Sequence, residues 1–285
     1  MPDRSAGDHR ATSPRARSDL GLAWVQRATY RRAMAQIPSF LRVAFGLLVL
    51  AISATVCFTL ALLLLPSRLA RIKLGNYYGK FIGRTVVWLS GARPEILHEE
   101  RLNGSFPAIY IANHASSLDA FLSIWLCPVG GCGVMKKEIA KIPFFGWAYL
   151  LSGHLRIDRS KHAKAVAGMA DMARVVKKNG LGIWIMPEGT RSLDGRLLPL
   201  KSGFVHMAIA TGLPVVPVIL HNAHHVWPLG GLRVTGGALK IEVLEPIATG
   251  SWAAETASRH AEEVRAVMAA ALSLEQRPLP VLAAA

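Results

Sequence analysis

The chain has 285 residues, room for one domain of ordinary size with an appendage. Apolar residues make up 52% of it and the mean hydropathy is +0.32, high for a wholly soluble protein of ordinary charge content, so part of the apolar surface is expected to face lipid. Lys and Arg outnumber Asp and Glu by 33 to 18, a formal charge of +15 that calls for anionic partners; with 7% aromatic residues and no basic-aromatic interleaving, nucleic acid is the weaker candidate beside phosphorylated substrates and anionic membrane lipids.

In chain order, residues 1 to 35 are polar and rich in Arg, Ser and Ala, with Pro2 and Pro14, and read as a disordered basic tail. Ala44 to Leu65 then carries no charge over about 22 residues, which as a helix at about 1.5 Å per residue spans roughly 33 Å, the scale of a hydrocarbon core. An uncleaved N-terminal membrane-anchor helix is expected here. A signal peptide is the alternative, but the run and the tail before it are too long and PSRLARIK is a poor cleavage context. Arg31, Arg32 and Arg42 precede the run and Arg68, Arg71 and Lys73 follow it, so charge bias sets no orientation, and a monotopic insertion or hairpin competes with a true span. Residues 68 to 90 carry Lys80 and Arg84 among Phe81, Ile82, Val86, Val87, Trp88 and Leu89; they read either as an interfacial amphipathic helix or as an ordinary domain helix. Residues 36 to 90 are grouped as anchor and interfacial helix.

After Gly91 short apolar runs alternate with helical patterns, the texture of an α/β domain with a largely parallel sheet flanked by helices, expected over 91 to 275 with a flexible tail at 276 to 285. Strands are expected at 107–112, 132–136, 154–157, 181–186, 214–220 and 238–244, and helices at 117–127, 161–178, 203–211 and 252–274. The second helix would put Val166, Met169, Ala170, Ala173 and Val176 on one face. The Ala-rich stretch 267–285, with Pro278 and Pro280, reads as a frayed end. Cys57, Cys127 and Cys132 form no CxxC pair and read as buried thiols in a reducing compartment.

The first expected strand runs into Asn113-His114-Ala115-Ser116-Ser117-Leu118-Asp119. His and Asp five apart do not share a helix face. With His114 in the strand-to-helix turn and Asp119 in the first turns of a helix capped by Ser116 or Ser117, the carboxylate can fold back onto the imidazole. Such a pair makes an oriented base able to take the proton of an alcohol attacking a thioester, with the hydroxyl supplied by the substrate. Pro187-Glu188-Gly189-Thr190-Arg191-Ser192 follows the strand LGIWIM, where open parallel sheets bind ligands; Gly189 allows close backbone approach, Thr190 offers a hydroxyl and Arg191 a fork suited to phosphate. By residue pattern alone, a polar turn with a structural Glu188–Arg191 ion pair remains open.

HxxxxD followed about seventy residues later by PEGTRS resembles the lysophosphatidic acid acyltransferase (PlsC-like, glycerolipid acyltransferase) family, over about residues 75 to 250. The resemblance implies that His114 is the base, Asp119 its partner and Asn113 a support for the turn, while Glu188, Gly189, Thr190 and Arg191 hold the acceptor's phosphate. Gly153 to Arg159 is similar to the family's GxxFIxR block and makes Arg159 a further phosphate ligand, although Arg156 stands where an aromatic residue is commoner. Lys136, Lys137 and Pro143 fit the approach to that block, and Leu213 to Val218 resembles a fourth block tied to the acyl donor or to packing. The implied reaction moves a fatty acyl group from acyl-CoA or acyl-ACP, as co-substrate, to the sn-2 hydroxyl of 1-acyl-sn-glycerol-3-phosphate, giving phosphatidic acid without a cofactor. The expected place is the inner, cytoplasmic membrane, with the active site facing the cytoplasm. Alternatives are an O-acyltransferase for another lysolipid such as lyso-ornithine lipid, or a non-catalytic membrane lipid-binding protein. A serine hydrolase is disfavoured because the chain has no GxSxG elbow. His221, His224 and His225 have no carboxylate or cysteine cluster beside them in sequence, so no metal is expected.

Overall fold

The computed structural model describes residues 39–136, 150–157, 162–230 and 234–279; at 39–44, 46, 47, 50, 135, 136, 156, 157 and 162–167 it describes the backbone alone. The chain divides into two compact units, Met1–Val49 and Leu50–Ala285. Helix α1 (Ser39–Leu63) takes in the described part of the first and opens the second. Its apolar side chains Phe45, Leu48, Ile52, Val56, Leu60 and Leu63 are exposed. Its side chains are described without a break only from Ala51, and among the described residues no helix is long and apolar enough to cross a membrane.

The second unit is built on a seven-stranded sheet: β1 (Ala92–Leu97), β2 (Ile109–Ala112), β3 (Gly131–Lys136), β4 (Leu155–Ile157), β5 (Gly182–Ile185), β6 (Val215–His221) and β7 (Gly237–Val243), in the order β1-β7-β6-β2-β5-β3-β4. All neighbours are parallel except β6 and β7. The sheet is therefore largely parallel, as expected, and made mixed by that one antiparallel pair, with the unforeseen strand ARPEIL pairing with β7 at one edge. Its solvated pattern, with Arg93, Pro94 and Glu95 exposed, hides it from a search for apolar runs.

Alternation along β2 divides the core. Ile109 and Ile111 join Ile183, Phe204, Val205 and Met268 on one face, whereas Ala108, Tyr110 and Ala112 join Trp184, Val218 and Leu122 on the other. Both faces are covered, so β2 and β6 read as unbroken apolar runs. The first face receives α5 (His162–Asn179), α6 (Gly203–Thr211) and α8 (Ala257–Ala271), and the second receives α2 (Arg68–Leu89) and α4 (Asp119–Leu126). The short α3 (Glu100–Gly104) and α7 (Ala223–Val226) lie in connections.

Three expectations change in detail. In α5 the inward stripe is Met169, Met172, Ala173 and Val176, with Ala170 exposed, because the 3.6-residue period admits the larger Met172 instead; the side chain of Val166 lies outside the described residues. The stretch 267–285 is not frayed through its described part: α8 runs to Ala271, Met268 and Leu272 are buried in the core, and Gln276 is buried with its side-chain amide on Leu220 O. Finally, α2, for which an interfacial and a domain reading stood open, packs on the domain along one side. Ile72, Asn76, Gly79, Gly83 and Val87 face inward, and its glycines let α4 approach so closely that a Cβ built at Gly83 would lie 2.4 Å from Phe121 O. Asn76 fastens it further, accepting from Gly130 N at 2.8 Å and donating to Gly131 O at 3.0 Å. Tyr77, Phe81 and Trp88 remain exposed on its other side.

Candidate active site

Two adjacent parallel strands create the site. β2 and β5 pair in register, Ile111 beside Ile185, so the loops leaving their C-terminal ends emerge side by side although 74 residues separate His114 from Glu188. β6 flanks β2 on the other side, and the buried Asn113 uses both ends of its amide on Leu220, donating to its carbonyl at 3.0 Å and accepting from its N–H at 2.8 Å. That clamp fixes where the strand stops and the catalytic turn begins.

In the turn, His114 Nδ1 lies 2.8 Å from Asp119 Oδ2. The same oxygen accepts the backbone N–H groups of Ala115 at 2.7 Å and Ser116 at 2.8 Å. Asp119 is the first residue of α4, 1% exposed, so Oδ2 is held by two peptide N–H groups at the helix N-terminus together with the imidazole, while its buried Oδ1 makes no hydrogen bond among the described residues. With Nδ1–H donated to the carboxylate, Nε2 is left as the basic nitrogen, and the ring keeps 16% of its surface open. The expected Ser116 or Ser117 cap is replaced by Leu118 at the N-cap. Ser116 serves otherwise: its hydroxyl accepts from Leu118 N and donates to Trp227 O at 2.7 Å, pinning the turn to the segment after α7.

The loop after β5 closes over this turn. Glu188 is 3% exposed, and its two oxygens accept His114 N at 2.7 Å and Leu198 N at 2.9 Å. Its expected place among the phosphate ligands is thereby corrected: both oxygens of this buried carboxyl group are engaged with backbone donors that tie the loops together, which leaves neither for a substrate. Burial raises it to about 7, while the two N–H donors work against the rise. Ser192 N donates to His114 O at 2.8 Å, a second tie between the loops.

Gly189, Thr190 and Arg191 reach the surface beyond Glu188. Arg191 Nε is 3.3 Å from His114 Nε2, so the guanidinium covers the basic nitrogen. Gly189 has φ +73°, and a Cβ there would lie 2.7 Å from Lys201 Nζ. Lys201 thus brings a second cation to the loop, a residue that a lone Lys in LPLKSGF gave little reason to single out. Lys136 lies in β3 with only its backbone described, and Arg159, Lys137 and Pro143 lie outside the described residues. Leu213 to Val218 feeds the fully buried β6, a packing role. Among the three histidines, His221 pairs with Glu242 on the neighbouring strand at 3.3 Å, apart from His224 and His225.

Comparisons with known proteins bear on the family and the fold. Residues 93–221 match the family model described as Acyltransferase. The chain is 42% identical over 228 residues to a 1-acyl-sn-glycerol-3-phosphate acyltransferase of Limnanthes alba, 80% of each chain. It is 37% identical over 161 residues to the one of Escherichia coli K12, 56% of this chain and 65% of that one. The crystal structure of the 1-acyl-sn-glycerophosphate acyltransferase PlsC of Thermotoga maritima superposes with a TM-score of 0.62 at 23% identity, covering 79% of this chain and 92% of that chain, which speaks for the fold.

Proposed function

Because the chain belongs to the 1-acyl-sn-glycerol-3-phosphate acyltransferase family, we propose that it acylates the sn-2 hydroxyl of 1-acyl-sn-glycerol-3-phosphate to give phosphatidic acid, with His114 and Asp119 as a general-base pair. The observation that carries the mechanism is the imidazole held through Nδ1 by a buried carboxylate with Nε2 turned outward. In the reaction the acceptor hydroxyl gives its proton to Nε2 while its oxygen attacks the thioester carbonyl carbon. The tetrahedral intermediate collapses with rupture of the carbon–sulfur bond, and the thiolate takes the proton back from the imidazolium. Asp119 stabilises that transient cation without itself being protonated. No acyl-enzyme forms, and neither cofactor nor metal takes part.

Arg191 has a double place in this reading. A neutral imidazole is a modest acceptor, whereas a phosphate binds a guanidinium through charge-assisted, bidentate contacts. Arrival of the acceptor's phosphate therefore draws Arg191 off His114 Nε2, uncovering the base only when its substrate is present, with Lys201 as the second cation on the phosphate. Arg159 and Lys136 are proposed as further phosphate-side residues on sequence grounds alone.

The donor is acyl-CoA or acyl carrier protein, and α1 is proposed as the anchor to an anionic cytoplasmic membrane, the active site facing the cytoplasm. This rests on the charge-free run 44–65, the helical course of Ser39–Leu63 and its exposed apolar side chains.

The test is thiol release from palmitoyl- and oleoyl-CoA by membranes carrying wild type or His114→Ala, with and without 1-acyl-glycerol-3-phosphate. Release that requires the acceptor and falls by about 10² to 10⁴ in the variant is the expected result. Wild-type turnover by His114→Ala would refute the mechanism, and release with lyso-ornithine lipid but not with the phosphate acceptor would reassign the substrate.

A further inference from the structure

Outside the catalytic turn, one cluster of side chains is left without a task. His224 and His225 stand side by side on α7, their ring centroids 4.0 Å apart, and the turn after α8 brings Glu275 to them. Glu275 Oε1 lies 3.6 Å from His224 Nε2 and 3.1 Å from His225 Nε2, and one ligand atom from each of the three residues falls within 4.8 Å of the others. Neither ring nitrogen of His224 makes a hydrogen bond among the described residues, although both atoms are shut off from solvent, and Glu275 at 3.6 Å is an ion-pair contact too long for one. Nitrogens closed off in this way without a hydrogen bond are costly. A His225–Glu275 ion pair accounts for the shorter contact and leaves His224 with only the longer one.

We infer that His224, His225 and Glu275 form a binding site for a divalent transition-metal cation of the zinc class. A tetrahedral ion about 2.0–2.2 Å from imidazole nitrogen and carboxylate oxygen places its ligands roughly 3.3 Å from one another; the two separations to Glu275, 3.1 and 3.6 Å, are near that value, and that between the two rings is within 4.8 Å. Two imidazoles and a carboxylate are donors of the borderline type that zinc prefers, and they leave a fourth position for water. Side chains of His225 and Glu275 are each 57% exposed, so an ion can enter from solvent, while His224, at 13%, anchors it from within.

The site adjoins the catalytic machinery without belonging to it. α7 leads directly to Trp227, whose carbonyl receives the Ser116 hydroxyl and the Ser117 N–H. Next to Glu275, Gln276 accepts Leu197 N through its backbone and donates to Leu220 O through its side chain. A bound ion would therefore join the C-terminal turn to the segment that pins the HxxxxD turn, and act as a staple on the closed arrangement of loops. This inference does not depend on which lysolipid the enzyme acylates.

The experiment is a zinc titration of the full-length, detergent-solubilised protein against a chromophoric chelator after EDTA treatment, with wild type, His224→Ala, Glu275→Gln and, as control, His98→Ala. Expected is one zinc equivalent whose affinity falls at least tenfold in the first two variants and holds in the control. Zinc should also raise the melting temperature of wild type by a few degrees and leave that of Glu275→Gln in place. Cobalt in place of zinc should give the visible bands of a nitrogen and oxygen site. Equal zinc affinity in wild type and Glu275→Gln, absence of binding, or a thiolate-to-cobalt band would each overturn the assignment. Should His224→Ala fail to fold, the exposed Glu275→Gln decides alone.

Discussion

At the scale of single residues, division of labour among charged groups makes the site. Asp119 and Glu188 are both buried carboxylates supplied with backbone N–H donors, yet only Asp119 keeps an oxygen on the imidazole. Glu188 instead holds the two loops in register, and its raised pKa gives that role a signature. An ordinary Glu at 4.5 is ionised in the unfolded chain while the folded protein, at about 7, still keeps its proton, so this group makes stability fall as pH rises between those values. Glu188→Gln keeps an acceptor for one N–H, sets an amide against the other and loses the slope. The stability advantage of wild type over this variant should shrink from pH 4.5 to 7 in urea unfolding, and a constant difference would contradict the assignment. Arg191→Lys addresses the phosphate side. Lys cannot reproduce a bidentate fork, so the acceptor KM should rise about tenfold with kcat changed much less, measured by varying the lysolipid at saturating thioester. An unchanged KM would remove Arg191 from the phosphate site.

At the scale of elements, closeness of backbone determines what can be replaced. The α2–α4 contact is made through glycine, where a Cβ at Gly83 would meet Phe121 O at 2.4 Å and Trp125 Cβ at 2.7 Å. Gly83→Ala gains about 1 kcal/mol of helix propensity, but the contact atom is backbone and cannot swing aside. Overpacking costs of about 1–3 kcal/mol should prevail, seen as a lower melting temperature. Because α4 begins at Asp119, displacement of this helix reaches the catalytic carboxylate, and turnover should fall along with stability. A variant more stable than wild type would show that the helices separate without cost.

At the scale of the whole molecule, the proposed membrane anchoring draws on a charge of +15 and an exposed apolar helix face. Electrostatic attraction is screened by salt, whereas burial of apolar surface is not. The protein should stay with the membrane fraction through both high salt and alkaline carbonate if α1 inserts. Release by salt alone would mean that basic residues do the holding.

The sequence by itself carried the local elements of the site, and the resemblance of its motifs carried the expected chemistry. His114 and Asp119 are five residues apart in a turn, and contacts of that range are written in local pattern. Core strands and helices were legible for the same reason, since burial on both faces leaves an unbroken apolar run and burial on one face leaves a 3.6-residue stripe. Strand ARPEIL escaped because an edge strand buries little. Tertiary structure alone decided which acid serves which purpose. Glu188 in PEGTRS reads as a ligand for the substrate until β2 and β5 are seen to be neighbours, at which point its carboxylate is found on the His114 backbone. Lys201, Gln276 and the His224–His225–Glu275 cluster were hidden likewise: each meets its partners through sheet order and loop closure, and linear spacing carries no record of either.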